Sequence, residues 1–144
     1  MIDQHPLDDL PHGPEFRFID HLIDIVAGKS GTASYTLPAD AHFLKGHFPG
    51  NPLMPGVLMI EAVAQLAGIV AQSDPDAGYL ENLRLTAVRA AKIRSTIPPQ
   101  EEIIIHVEIA GRMGGLIQAT GKITHDNNEI ANVQVTLSGD LPAA

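Results

Sequence analysis

The chain has 144 residues, of which 44% are hydrophobic and 18% are charged, and this composition fits one folded domain with a sizeable core. Its formal net charge of −8 argues against nucleic acid as the main partner, because a surface that binds nucleic acid must be basic. The sequence contains no cysteine, which excludes disulfides, thiolate nucleophiles and metals held by cysteine.

The amino-terminal segment MIDQHPLDDLPHG has no basic stretch followed by an apolar run, so we expect no signal peptide and a cytoplasmic location. The longest apolar run, residues 57–71, is interrupted by Glu61 and Gln65 and is too short to span a membrane. No repeat, low-complexity tract or linker divides the chain. We therefore predict a single domain over residues 1–144.

The first half of the chain predicts two strands and one long helix. Residues 15–37 alternate between apolar and polar and are broken by AGKSG, which indicates two strands joined by a glycine turn. The loop that follows contains one short helical turn near His42. Pro55 fits the first position of a helix that runs to Gln72, where SDPDAG ends it. Because this helix is apolar on nearly every face, we expect it to be buried.

The second half predicts four more strands. Segments 80–96, 101–112, 115–125 and 129–139 are strand-like and are separated by the turn sequences PPQ, MGG and DNN. The fold class is therefore α+β, with an antiparallel sheet of about six strands wrapped around one long central helix. The small side chains of Ala64, Ala67 and Ala71 would let the sheet approach that helix closely.

Glu61 and Gln65 lie four residues apart and so share one face of the helix. A carboxyl group held away from water is a candidate proton donor near neutral pH. The alternative is a glutamate that favours the helix dipole or has a structural partner. Both interpretations remain open from the helix alone.

His47 lies in a loop whose path is restricted by prolines at 49, 52 and 55 and glycines at 46, 50 and 56. Pro49 and Gly50 suit the two central positions of a type II turn. Rigid placement favours proton transfer, and histidine is the commonest general base. A surface or structural histidine is the alternative for His47 considered by itself.

The start of the helix offers a site for a carbonyl oxygen. The backbone N–H groups of Gly56 and Val57 have no partner within the helix, and they lie at its positive dipole end. Gly56 has no side chain to keep a substrate away. Together with His47 and Glu61, this arrangement suggests removal of a proton alpha to a carbonyl and loss of a beta hydroxyl.

Residues 46–68, GHFPGNPLMPGVLMIEAVAQLAG, closely resemble the signature of the 3-hydroxyacyl-[acyl-carrier-protein] dehydratases of the FabZ type, which have the hotdog fold. Every fixed position of that signature is present. Weaker resemblance extends over almost the whole chain, including LPHGPEFRFIDHL and AAKIRSTIPP. Arg84 departs from the pattern, since many members have a gating aromatic residue near that place.

The resemblance implies a role for each matching residue. His47 corresponds to the catalytic histidine, Glu61 to the catalytic glutamate, and the Gly56 N–H to the group that polarises the thioester carbonyl. Gln65 corresponds to a helix glutamine that supports the site. Substrate-binding positions also include Val57, Phe48 and Pro55. A glutamate at 61 and a valine at 57 favour dehydration without isomerisation.

The resemblance also implies what the protein acts on and assembles with. The family converts a (3R)-3-hydroxyacyl thioester on acyl carrier protein to the trans-2-enoyl thioester, in fatty acid or related lipid and polyketide biosynthesis. No metal or organic cofactor is expected, and the substrate is presented on the phosphopantetheine arm of the carrier. A homodimer is expected, with His47 and Glu61 of each site from different chains, and a trimer of dimers is common in the family.

Basic residues cluster in the predicted third strand, where Arg84, Arg89, Lys92 and Arg94 fall within eleven positions. With Lys45 at its edge, this cluster is a candidate docking surface for the acidic acyl carrier protein. A solvated strand face is the alternative.

The seven histidines do not predict a metal site, because no HExxH pattern accompanies them. His12, in LPHG, matches a histidine frequent in the family and is expected to be structural. Two other functions remain as rivals: a hotdog thioesterase or CoA hydratase, and a non-catalytic protein that binds acyl-ACP or supports a partner subunit.

Overall fold

The structure is a computed structural model, and it describes residues 2–46 and 49–142. These residues form six strands, one α-helix and three short 3-10 segments. The 3-10 segments are His5–Asp9, Pro14–Phe16 and His42–Gly46. The strands and helix are β1 (His21–Val26), β2 (Ser30–Thr36), α1 (Gly56–Gln72), β3 (Glu81–Ile93), β4 (Glu102–Met113), β5 (Leu116–His125) and β6 (Asn128–Asp140).

The strands form one six-stranded antiparallel sheet in the order β1-β2-β4-β5-β6-β3. The predicted strand number, the long helix and the helical turn at His42 are confirmed. The turns also follow the predicted chemistry. Gly114 and the pair Asp126 and Asn127 have positive φ angles between consecutive strands, a conformation that glycine and asparagine tolerate best.

The sheet wraps around α1, whose side chains fill the core. Met59, Val63, Leu66 and Val70 of the helix are fully buried. The close approach of sheet and helix depends on strand glycines as well as on the small residues of the helix. A Cβ atom on Gly31 would lie 2.6 Å from Val70 Cγ2, and a Cβ on Gly121 would overlap Val63.

Two boundaries differ from the sequence prediction. Pro55 is the N-cap of α1 and not its first residue, because its ψ of 131° is extended while its carbonyl already accepts the Leu58 N–H at 3.0 Å. Residues 15–20 are not strand: Pro14–Phe16 forms a 3-10 turn and β1 begins at His21.

Strand β3 is an edge of the sheet and is unusual in being exposed on both faces along most of its length. Val88 and Ile93 keep 45% and 41% of their surface accessible. Three irregularities interrupt its pairing with β6. A long edge strand with exposed apolar side chains is a candidate surface for pairing with another chain.

Across the described ranges, the structure contains no helix that is both long and apolar enough to cross a membrane.

Candidate active site

Gln65 ties the helix to the amino-terminal part of the chain. Its side chain is buried, and its Oε1 accepts the Phe18 backbone N–H at 2.9 Å. Its Nε2 donates to the Phe16 carbonyl at 2.8 Å. These two bonds explain why Phe16 and Phe18 leave the strand pattern, since their backbone groups bond to a helix side chain instead of a neighbouring strand.

The same Gln65 amide reaches Glu61, one helical turn earlier. Its Nε2 lies 3.0 Å from Glu61 Oε2. The Glu61 side chain keeps 18% of its surface exposed, so its carboxyl group is mostly enclosed but accessible from one side. The two residues therefore share a helix face, as predicted, and a direct hydrogen bond joins their side chains.

His12 contributes a second contact to the same carboxylate oxygen. Its Nε2 lies 3.3 Å from Glu61 Oε2, and 29% of its side chain is exposed. The ring stacks on Phe16, with 6.0 Å between ring centroids and an interplanar angle of 26°. Arg17 Nε donates to the His12 carbonyl at 3.0 Å and fixes the backbone there.

A cavity of about 650 Å³ opens beside this group. One wall is the face of α1 that carries Glu61, Gln65, Gly68 and Gln72. The other walls are the amino-terminal residues 9–12 and the chain that enters β3, including Tyr79, Arg84 and Leu85, with Leu137 of β6 behind them. The size falls within the range of pockets that enclose small organic ligands.

The cavity is lined by both apolar and polar residues. Ala64, Gly68, Leu85 and Leu137 supply apolar surface, whereas His12, Glu61 and Gln65 supply hydrogen-bonding groups. Such a site can hold a flexible apolar chain and present a carboxyl group to its functional end.

At the start of α1, a Cβ on Gly56 would lie 2.7 Å from Ile93 Cδ1. A larger residue there would require the end of the Ile93 side chain to shift, so packing against β3 favours glycine for a reason separate from the substrate approach expected from the sequence. Val57 is 69% exposed and has no cover from its own chain among the described residues. Pro55 is half-buried, and the loop before it is held by the Met54 N–H, which donates to the Ile97 carbonyl at 2.8 Å.

Two predicted site residues, His47 and Phe48, lie outside the described residues. The turn next to them is described. Gly50 has a φ of +84°, the conformation that the third residue of a type II turn requires, as the Pro49-Gly50 pair predicted.

The predicted docking residues are exposed, and two of them have intramolecular contacts. Arg94 Nε lies 3.7 Å from Glu129 Oε2. Arg84 Nη1 donates to the Asn82 carbonyl at 2.9 Å and also lines the cavity. The other three are Arg89, Lys92 and Lys45, which lie at the surface.

One group of described residues has metal-ligand character. Glu101, His125 and Asp126 bring their ligand atoms within 4.8 Å of one another. His125 Nε2 is paired with Glu101 Oε1 at 3.3 Å and with Asp126 Oδ2 at 3.6 Å. Glu101 and Asp126 are exposed, so an ordinary surface ion-pair cluster accounts for the group.

The sequence predicted a structural role for His12 but not its contact with Glu61. The only local signal was its position in LPHG, ahead of two aromatic residues, Phe16 and Phe18. Its contact with Glu61 joins positions 49 residues apart, as the Gln65 bond to Phe16 does. No periodicity in either segment indicates such a pairing.

The model of the FabA-like domain family matches residues 10–134. The 3-hydroxyacyl-[acyl-carrier-protein] dehydratase FabZ of Listeria monocytogenes serotype 4b (strain CLIP80459) is 30% identical over 145 residues, which cover 99% of each chain. The enzyme of the same name from Myxococcus xanthus (strain DK1622) is 32% identical over 126 residues, 87% of this chain and 82% of that one.

Among solved structures, the dehydratase heterocomplex ApeI:P from Xenorhabdus doucetiae superposes with a TM-score of 0.75 over 93% of this chain and 88% of that one. Its sequence identity is 15%, so this similarity concerns the fold. The six-stranded sheet around one helix is accordingly the hotdog fold. The chain belongs to the FabA-like domain family, among its FabZ-type dehydratases.

Proposed function

We propose that the protein dehydrates a (3R)-3-hydroxyacyl thioester on acyl carrier protein to the trans-2-enoyl thioester, in fatty acid biosynthesis or a related lipid or polyketide pathway. The observation that carries the proposal is the Glu61 carboxyl group, which borders a cavity of about 650 Å³ and is held through one oxygen by Gln65 and His12. The FabZ relatives carry this activity in their names.

The reaction needs one base and one acid. His47 takes the proton from C2, and the electron pair of that C–H bond forms the C2–C3 double bond. The C3–O bond breaks, and Glu61, directly or through a water, gives its proton to the leaving hydroxyl, which departs as water. The step changes no oxidation state beyond the loss of water, so it requires no oxidant or reductant.

Charge that develops on the thioester oxygen needs a donor. The backbone N–H groups of Gly56 and Val57 are the first of α1, and the bond from the Leu58 N–H to Pro55 leaves those two unused by the helix. The positive end of the helix dipole adds to their effect. Phe48 and Pro55 complete the substrate-binding positions of this proposal.

The proposed assembly is a homodimer through the β3 edge, with trimers of dimers as the larger form. Exposed Val88 and Ile93 on β3 and exposed Val57 at the start of α1 support an apolar partner surface there. In this assembly, His47 of one chain meets Glu61 of the other, and each site is incomplete without its partner.

Acyl carrier protein docks, in this proposal, on the basic residues of β3 and its surroundings. Arg84, Arg89, Lys92 and Arg94 are exposed, as is Lys45, in a chain whose net charge is −8. An acidic carrier is attracted to such a local basic surface despite the overall charge. A cytoplasmic location accompanies this role.

The test is complementation between two inactive variants. His47→Ala and Glu61→Gln are each expected to abolish the rise of enoyl absorbance on a short 3-hydroxyacyl-ACP. Mixing the two variants after reversible dissociation should restore about half of the wild-type activity per mixed dimer, since one of its two sites then retains both residues, and therefore about a quarter of it in a randomly paired mixture. Full activity in either single variant would contradict its assigned role, and absence of recovery in mixed dimers would contradict the shared site.

A further inference from the structure

The Glu61 carboxylate is held asymmetrically. Gln65 Nε2 lies 3.0 Å from its Oε2, and His12 Nε2 lies 3.3 Å from the same atom. Within the described part of the chain, Oε1 has no corresponding contact. The two oxygens of this carboxyl group are therefore not equivalent.

The direction of the Gln65 bond is fixed by its other partners. Its Oε1 accepts a backbone N–H, from Phe18, and its Nε2 donates to a backbone carbonyl, that of Phe16. A flipped amide would set its NH2 group against the Phe18 N–H and its oxygen against the Phe16 carbonyl, and neither contact is a hydrogen bond. The group that meets Glu61 Oε2 is thus a donor, which places an acceptor lone pair and not a proton on that oxygen.

The tautomer of His12 follows from its second nitrogen. Nδ1 is buried and has no hydrogen-bond partner among residues 2–46 and 49–142. A proton on Nδ1 would be a buried donor without an acceptor, which is the more unfavourable of the two arrangements. The proton of the neutral ring therefore sits on Nε2, which then donates to Glu61 Oε2.

The ring is also held in place by its neighbours. It stacks on Phe16, and Arg17 binds the His12 carbonyl. Gln65 also binds the Phe16 carbonyl. The same glutamine therefore donates to Glu61 Oε2 itself and holds the residue on which the second donor, His12, stacks. His12 is thereby built into the site and is not a flexible surface residue.

We propose that His12 is a positioning residue for Glu61, which together with Gln65 occupies Oε2 and makes Oε1 the oxygen that carries and delivers the proton. This inference rests on the proposed function, in which Glu61 is the acid. When the proton leaves Oε1, the new carboxylate is stabilised by the two donors that already face Oε2. That stabilisation grows as the proton is transferred, so it acts on the chemical step more than on substrate binding.

The test compares two substitutions of His12 in the protein of 144 residues. His12→Leu removes the donor, whereas His12→Gln keeps an N–H at about the reach of Nε2. We expect His12→Leu to lower kcat roughly 10- to 100-fold, the effect of a lost hydrogen bond to a charged group, with little change in KM. His12→Gln should recover most of that loss.

His5→Leu is the matched control, because His5 lies in the preceding 3-10 segment and its side chain is 89% exposed. It should retain the wild-type kcat. An unchanged kcat in His12→Leu would overturn the inference while leaving the proposed function intact, provided that Glu61→Gln is inactive. Equal losses in His12→Leu and His12→Gln would also overturn it, because the donor would then not be the feature that matters.

A spectroscopic measurement separates failure of the inference from failure of the proposed function. Imidazole ¹⁵N spectra, with the His12 signals assigned by their absence in His12→Gln, should show the Nε2–H tautomer. The Nε2 signal should shift in Glu61→Gln. A proton on Nδ1 would overturn the inference whether or not the wild-type protein turns over any substrate.

Discussion

Gln65 and Glu61 are joined by a hydrogen bond of 3.0 Å between the amide Nε2 and the carboxylate Oε2, one helical turn apart on α1. The same amide binds the backbone on both sides of Arg17. One buried side chain thus connects the helix, the amino-terminal segment and the proposed proton donor. Its removal should affect both stability and catalysis.

Gln65→Leu is expected to lower the free energy of unfolding by about 1–3 kcal/mol, because the Phe18 N–H is left buried without an acceptor. It should also lower kcat, since Glu61 loses a donor. Gln4→Leu is the matched control: Gln4 makes the same pair of backbone bonds, to Leu22, at 2.7 and 2.9 Å. Gln4→Leu should reduce stability in urea unfolding and keep kcat. Equal effects of both substitutions on kcat would contradict a specific role for Gln65.

The packing of α1 against the sheet predicts that Gly121 accepts no side chain. A Cβ at that position would overlap Val63, so Gly121→Ala should destabilise the protein by about 1–3 kcal/mol. Gly111→Ala serves as the control, because no atom lies within 4 Å of the added carbon. Combining Gly121→Ala with Val63→Ala should recover part of the loss in thermal or urea unfolding. Strict additivity of the two substitutions would show that they do not meet.

Exposure of Val88 on β3 predicts a dimer interface at that edge. Val88→Asp should shift the protein toward the monomer in sedimentation experiments and reduce activity, because the proposed site spans two chains. Val26→Asp is the control on the opposite edge strand, β1, since both valines are 45% exposed. Dissociation by Val26→Asp and not by Val88→Asp would place the interface elsewhere.

The basic surface on β3 predicts a charge effect that depends on the carrier. Arg89→Glu should raise KM for a 3-hydroxyacyl-ACP several-fold, and it should leave KM for the same acyl group on CoA nearly unchanged. Lys29→Glu makes the same change of charge at an exposed position outside the cluster and should leave both values as in wild type. Parallel changes on both substrates would argue against docking at Arg89.

The environment of His106 predicts that the free energy of unfolding depends on pH. Burial, with a contribution from the charge of Lys122, lowers the pKa of His106 from its usual 6.5. The unfolded chain therefore takes up this proton at a higher pH than the folded chain does. The stability linked to His106 is fully present above about pH 6.5 and is lost as the pH falls through the folded pKa.

The matching experiment is urea unfolding of wild type and His106→Asn at about pH 7.5 and about pH 5.5, on either side of the usual histidine pKa. Wild type should lose more stability between the two values than the variant. Asparagine can still reach Thr32 Oγ1, which lies 3.2 Å from His106 Nδ1. Identical losses in the two proteins would exclude His106 as the group responsible.

Local patterns predicted most of the fold because turns and periodicity are local properties. The PPQ, MGG and DNN sequences marked the strand ends after α1 to within a few residues of β3, β4, β5 and β6. The prediction of a strand for the segment EFRFID, residues 15–20, was wrong for a physical reason. Its alternation is strand-like, but the Phe16 carbonyl and the Phe18 N–H bond to Gln65, which lies 47 residues after Phe18.

The candidate site was predictable in part for the same reason. The spacing of Glu61 and Gln65 predicted a shared helix face, and the structure adds the bond between them. The position of His12 beside Glu61 depends on the path of the amino-terminal segment across α1, which no local pattern contains. The cavity likewise combines four parts of the chain that are distant in sequence, so only the folded protein reveals it.

The most direct test of the central claim is the mass of the acyl carrier protein after reaction. A purified (3R)-3-hydroxyacyl-ACP would be incubated with the protein and examined by mass spectrometry, beside the Glu61→Gln variant. Dehydration predicts that the acyl-ACP loses the mass of one water and keeps its acyl chain, and that the variant leaves it unchanged. An intact substrate, or the release of free carrier by thioester hydrolysis, would contradict the account.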